Sequence, residues 1–179
     1  MSKDNPVPLI AIRNEPLTVQ EALDAVHAED VGGVAMFIGT VRNHNVGRPV
    51  TLLEYHAYQS MAEKQMRKIA EGIATQYAPI QLAALHRVGS LQVGDIAVIC
   101  VAATPHRGEA FAACRLLIDE IKAHVPVWKR EHGPDGPYWV GWEDARCLGD
   151  EHHHHHHAHE PNPDHSHNDH SPSSEPQRS

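Results

Sequence analysis

One proline divides two incompatible periodicities in this chain of 179 residues, and that division constrains the fold more than any other feature. Upstream of Pro126, the apolar residues Phe111, Cys114, Ile118, Ile121 and Val125 recur at helical spacing within residues 108–124 and the position just after. A residue that precedes proline is pushed from helical to extended geometry, so the spacing predicts a helix that stops there. Downstream, Val127-Trp128-Lys129-Arg130-Glu131 reads as a strand. Period-two geometry puts Val127, Lys129 and Glu131 on one face and Trp128 and Arg130 on the other. A helix that feeds directly into a strand points to an α+β domain.

The remaining pattern agrees. Strands are predicted over residues 8–13, 33–41, 51–58, 80–88 and 96–103, the last two joined by a turn containing Gly94-Asp95. A first helix follows Thr18, with Val19, Ala22, Leu23 and Val26 at helical spacing. Ser60 and Glu63 form a capping-box pattern at the start of a second helix, whose stripe is Ala62, Met66, Ile69, Ile73 and Tyr77. Asn43, Asn45, Gly47 and Pro49 mark residues 42–49 as a loop. A final strand over residues 138–142 pairs with 127–131 around a turn-rich connection of five residues, 133–137. The expectation is a single domain over residues 1–149, with about three main helices on a mixed or antiparallel sheet and no Gly-rich nucleotide loop.

Composition changes at residue 149. From Asp150 onward the sequence is His, Asp, Glu, Pro, Ser and Asn with almost nothing apolar, so residues 150–179 are expected to be disordered. That segment carries six acids and one base, a net of -5 out of the chain's -8, which leaves only -3 on the domain. No basic stripe of the kind a nucleic-acid binder needs is present, but a local basic pocket is compatible with this balance. The six histidines His152, His153, His154, His155, His156 and His157 would bind nickel, zinc or copper weakly through neutral imidazoles, and no metal site is expected in the domain. No apolar run approaches the ~20 residues of a membrane span. The N-terminus lacks a signal-peptide pattern, so the cytoplasm is the expected compartment. Cys100, Cys114 and Cys147 suggest neither a disulfide framework nor a zinc knuckle.

The candidate chemistry is cationic. Lys122 falls at the edge of the third helix's apolar arc, an odd place for a lysine. It reads either as a snorkelling side chain, paired with Asp119 or near Arg115, or as a functional ammonium. Lys129 stands seven residues later, and two ammonium groups sharing one pocket would depress each other's pKa. His106-Arg107 lies where a strand gives way to that helix, at the positive end of its dipole, and a guanidinium fork there suits phosphate. Arg42 sits in its own loop. Together these residues suggest a pocket for a small phosphorylated substrate. The sequence offers no evident protein nucleophile, so the reactive group is expected to arrive on another molecule.

Several strings, in order, resemble the catalytic (large) subunit of molybdopterin synthase, the MoaE family. They are Phe37-Ile38-Gly39-Thr40-Val41-Arg42-Asn43-His44-Asn45, Leu53-Glu54-Tyr55, His86-Arg87-Val88-Gly89, Val93-Gly94-Asp95, His106-Arg107 and Pro126-Val127-Trp128-Lys129-Arg130-Glu131. The resemblance covers about residues 7 to 142 and implies an α/β hammerhead fold. It also implies a heterotetramer, with a central homodimer of catalytic subunits and a small ubiquitin-like sulfur-carrier subunit at each end. The carrier's C-terminal thiocarboxylate would deliver sulfur twice to cyclic pyranopterin monophosphate, forming the dithiolene of molybdopterin. No resident cofactor is implied. Carried onto matching positions, the resemblance implicates Thr40, Val41, Arg42, His106, Arg107, Lys122, Lys129, Arg130 and Glu131 in substrate binding, with Lys122 and Lys129 catalytic. The chain departs from the family after Trp139-Val140, where Gly141-Trp142 precedes the first acid, Glu143; Arg146 is a shifted basic candidate that is not assigned. Two readings of other classes compete with synthase activity. A metal-handling protein built on the histidine-rich segment predicts an inert domain, and an anion-binding regulatory module predicts binding without turnover.

Overall fold

The computed structural model describes residues 5–140, and the expected boundary at residue 149, the histidine-rich segment, Cys147 and Arg146 lie outside them. The elements run β1 (Leu9–Arg13), α1 (Val19–Ala25), β2 (Gly33–Thr40), β3 (His44–Asn45), β4 (Arg48–Pro49), β5 (Leu52–Ala57) and α2 (Gln59–Gln76). The chain continues through β6 (Gln81–Arg87), β7 (Gly89–Gln92), β8 (Ile96–Thr104), α3 (Arg107–His124), β9 (Val127–Gly133) and β10 (Gly136–Val140). The fold is α+β with three helices, as the periodicities predict.

Two four-stranded sheets form the frame. The first has the order β1-β6-β8-β2, with β1 parallel to β6 and the other pairs antiparallel. The second, β10-β9-β5-β7, is antiparallel throughout. The chain passes from one sheet to the other between β6 and β7, at Gly89, whose φ of 88° suits glycine and is rarely adopted by other residues. Val41, Leu53, Leu91 and Ala97 close a small apolar cluster contributed by both sheets.

Helices α2 and α3 cover one face of the first sheet, burying Met66, Ile73, Leu117 and Ile121 against Leu82, Val98 and Cys100. The short α1 covers the opposite face over β6 and β8. It leaves Val34, Met36 and Ile38 of the edge strand β2 exposed on that side. The first residues of β2 pack closely on the start of α3. A Cβ on Gly32 would lie 2.3 Å from the Pro105 carbonyl oxygen, so no larger residue fits there.

Four expectations are corrected. Ser60 and Glu63 do not form a capping box, because the N-cap is Tyr58, two residues earlier, and it makes no side-chain cap. Glu63 instead accepts the Ile12 N–H at 2.8 Å, closing a donor on the free edge of β1. Phe111 is 66% exposed, and Ala110, Ala113 and Leu117 take its place in the buried stripe of α3. Strand β7 is short and polar on one face, with no alternation to announce it. The connection between β9 and β10 is tighter than expected, since the pairing continues to Gly136 with Gly133.

His86 is buried and its Nδ1–H donates to the Arg87 carbonyl at 2.8 Å, with Tyr55 packed edge-on 5.0 Å away. Burial pushes its pKa down from 6.5 to about 4, against a smaller opposing effect of that hydrogen bond. The unfolded chain therefore binds the extra proton first. Stability from neutral His86 is complete above about pH 6.5 and is lost as pH falls towards about 4, on the order of 3 kcal/mol. Urea unfolding between pH 7.5 and 4.5 should show a stability loss that shrinks in His86→Gln, and an unchanged slope would contradict this. A second test concerns the hairpin tip joining β3 to β4. Val46 (φ 45°) and Gly47 (φ 76°) occupy a turn with two positive φ angles, where Asn-Gly is the favoured pair. Val46→Asn should stabilise the domain by about 1 kcal/mol, read as a higher urea midpoint, because a β-branched residue is strained there.

Candidate active site

A buried carboxylate organises the candidate site. Glu131, on β9, is only 4% exposed. Its oxygens accept both contacts of the Asn45 amide, at 3.0 and 3.1 Å, and the Tyr138 hydroxyl at 2.7 Å. The Lys129 ammonium lies 3.5 Å away. The period-two reading of β9 is thus correct, since Lys129 and Glu131 share a face. The expected neighbour is different: the cation closest to hand for Lys129 was to be Lys122, whereas the structure gives it a carboxylate.

Lys122 leaves the last turn of α3, exposed, with its ammonium 5.6 Å from the centre of the Phe37 ring. The snorkelling alternative named Asp119 as its partner, but Asp119 pairs with Arg115 at 3.5 Å. Lys129 stands opposite Tyr55 across the β5–β9 ladder. Phe37 and Tyr55, the aromatic neighbours of the two lysines, both pack against the main core. Arg42 follows β2 and donates to the side-chain oxygen Oδ1 of Asn45 at 3.4 Å. Burial, and then the Glu131 carboxylate, push the Tyr55 hydroxyl up to about 12, with Arg42 opposing. Tyr55 therefore stays protonated, between the opposing charges of Glu131 and Arg42.

The other predicted residues divide between three places. Thr40 ends β2 at a bulge that shifts the register between Gly39 and Thr40, and its side chain is exposed. Val41 is a packing residue, 4% exposed, whose backbone pairs with Asp95 and Gly94. Arg130 faces away from Lys129. It binds Glu54, lies 5.5 Å from the Trp139 ring, and shares Glu54 with the His132 Nε2–H at 2.8 Å. His132 and then Arg130 hold the Glu54 carboxyl below its usual value. His106 caps α3 through its backbone and Arg107 opens the helix, both exposed, as the sequence predicts. They do not meet the lysines in one chain. Fifteen helical residues separate Arg107 from Lys122, about 22 Å along the axis.

Sequence reasoning took Asn45 only as a turn former and passed over Tyr138 and His132. The unequal burial of carboxylates, which makes Glu131 the organiser, leaves no trace in spacing. Among the described residues no group of histidine, cysteine and carboxylate side chains is arranged to hold a metal. No helix among them is long and apolar enough to cross a membrane.

Fold and site together define an α+β domain that fixes cationic side chains around one buried carboxylate. The chain belongs to the MoaE protein family, which matches residues 12–124. It is 40% identical over 131 residues to the molybdopterin synthase catalytic subunit of Halalkalibacterium halodurans, covering 73% of this chain and 84% of that one. It is 41% identical over 134 residues to molybdopterin synthase catalytic subunit 1 of Mycobacterium tuberculosis, covering 75% and 91%. The crystal structure of molybdopterin synthase from Staphylococcus aureus superposes with a TM-score of 0.72 at 36% identity, covering 74% of this chain and 96% of that one.

Cys100 and Cys114 are buried and free, and burial raises both thiols above their ordinary range. A thiol held in that state is a poor nucleophile. In a Cys147→Ser chain, a water-soluble disulfide reagent should leave both untouched until denaturant is added. Rapid labelling of the folded chain would contradict this.

Proposed function

We propose that this chain is the catalytic subunit of a molybdopterin synthase, moving sulfur from a carrier's thiocarboxylate onto cyclic pyranopterin monophosphate. The observation that carries the reading is the convergence of Lys129 and Asn45 on buried Glu131, with Arg42 held to Asn45, in a chain of this family. The reaction adds anionic sulfur to an anionic substrate. Cations fixed beside the reacting atoms lower the repulsion between the two and stabilise charge as it develops. Lys122, over Phe37 at the rim, positions the incoming thiocarboxylate. Lys129 stabilises the developing anion or transfers a proton as sulfur adds and the cyclic phosphate opens. Sulfur arrives on the partner, so the reading needs no resident cofactor. The partner is a small ubiquitin-like sulfur carrier, and the setting is the cytoplasm.

The same reading requires a second copy of the chain. His106 and Arg107 suit the phosphate of the substrate, yet they stand about 22 Å of helix from Lys122. A small pterin does not span that distance, so the phosphate-binding pair at each site comes from the partner protomer. The exposed stripe of Val34, Met36 and Ile38 on an unpaired sheet edge gives a second copy an apolar surface, and it starts next to His106-Arg107. The assembly is a central homodimer with one carrier at each end.

Alanine at Lys122 or Lys129 should abolish molybdopterin formation while leaving carrier binding largely intact; near-normal turnover in both variants would refute their roles. Mixing tests the shared site. Arg107→Ala and Lys129→Ala chains, each inactive alone, should regain up to about a quarter of wild-type activity after subunit exchange, because half the dimers then hold one intact site. No recovery despite demonstrated exchange would mean that His106 and Arg107 serve the site of their own chain or none.

A further inference from the structure

We propose that Asn45 is a positioning residue of the sulfur-transfer site, bridging Arg42 and the Glu131 that orients Lys129; this rests on the reading of function above. The amide of Asn45 faces opposite charges on its two sides. Its Nδ2 donates to both oxygens of Glu131, at 3.0 and 3.1 Å, and its Oδ1 accepts from Arg42 Nη2 at 3.4 Å. Turning the amide over would set oxygen against carboxylate and N–H against guanidinium, so the surrounding charges fix its orientation. Only a residue with a donor and an acceptor on one short planar head satisfies both sides.

The bridge joins parts of the chain 86 residues apart. Asn45 lies on the β3–β4 hairpin, which also sets the Arg48 guanidinium 5.2 Å from the Tyr138 ring, and just beyond it the Thr51 N–H donates to the His132 carbonyl at 2.8 Å. The hydroxyl of Tyr138 then completes the set of donors on Glu131. Without Asn45, Arg42 loses its tether and Glu131 loses two of its contacts. Both cations of the site would then sample orientations that do not stabilise the transferring sulfur, and a misplacement of about 1 Å can reduce a rate on the order of 100-fold.

The test combines turnover with a readout that does not depend on activity. Wild type, Asn45→Ala, Asn45→Asp and Tyr138→Phe are assayed with thiocarboxylated carrier and cyclic pyranopterin monophosphate. In parallel, acylation of Lys129 is followed by mass spectrometry, with exposed Lys68 as the internal reference. Asn45→Asp is the sharpest variant, since it keeps the shape and the acceptor for Arg42 but turns a carboxylate towards Glu131. The expected result is a kcat lowered about 10- to 100-fold with KM changed much less. Lys129 acylation should change several-fold relative to Lys68, and Asn45→Asp should be at least as impaired as Asn45→Ala. In an Arg42→Ala, Lys129→Ala background, adding Asn45→Ala should leave carrier binding unchanged. An active wild type whose Asn45 variants turn over within twofold overturns the proposal. So does a loss of activity with unchanged Lys129 acylation, which would make Asn45 a fold-stabilising residue only. A wild type that makes no product with verified carrier and substrate sinks the reading of function itself, and with it any catalytic meaning of the bridge.

Discussion

The burial of one carboxylate organises the functional end of this domain. A charge removed from water is tolerated only when donors and cations replace its hydration, and Glu131 recruits an amide, a phenol and an ammonium from three different strands. Each recruitment fixes something useful. Asn45 brings in the hairpin after β2 and, through it, Arg42; Tyr138 ties β10 to β9; Lys129 is oriented on the face shared with Tyr55. The site is therefore assembled by the same contacts that hold the second sheet's margin together.

The first sheet and its helices supply the rigid frame. Helix α3 runs from the start of β2, where glycines allow close approach, to Phe37 further along the same strand. Its length sets His106-Arg107 and Lys122 at opposite ends of one element. Under the proposed function that separation calls for two protomers, because one small substrate would not reach both ends of the helix in one chain. The uncovered apolar stripe of β2 adjoins the end that would have to cross over.

Much of the fold was legible because periodicity reflects one-sided burial. The helix-to-strand switch at Pro126 lies where the sequence puts it, and the alternation along β9 separates Lys129 and Glu131 from Arg130 correctly. Motif chemistry transferred less well when long-range partners competed for the same side chains. Glu63 had the spacing of a helix cap, yet a free backbone donor on β1 took it. Phe111 fitted a helical stripe by its apolar character, but among the described residues its side of the helix is left exposed. Asn45 looked like a turn former and is that too; its second task depends on a strand 86 residues away, which no local pattern encodes. Arg130 stood beside Lys129 in sequence and lies on the opposite face, committed to Glu54.

Under the proposed function, residues 1–149 contain the sulfur-transfer machinery and a separate carrier supplies the sulfur. The most direct measurement mixes the purified chain, with and without residues 150–179, with thiocarboxylated carrier and cyclic pyranopterin monophosphate, and quantifies molybdopterin as its oxidised fluorescent derivative. Product from both forms is the predicted result and makes the histidine-rich segment accessory. Absence of product from both, with carrier and substrate verified, would contradict the account.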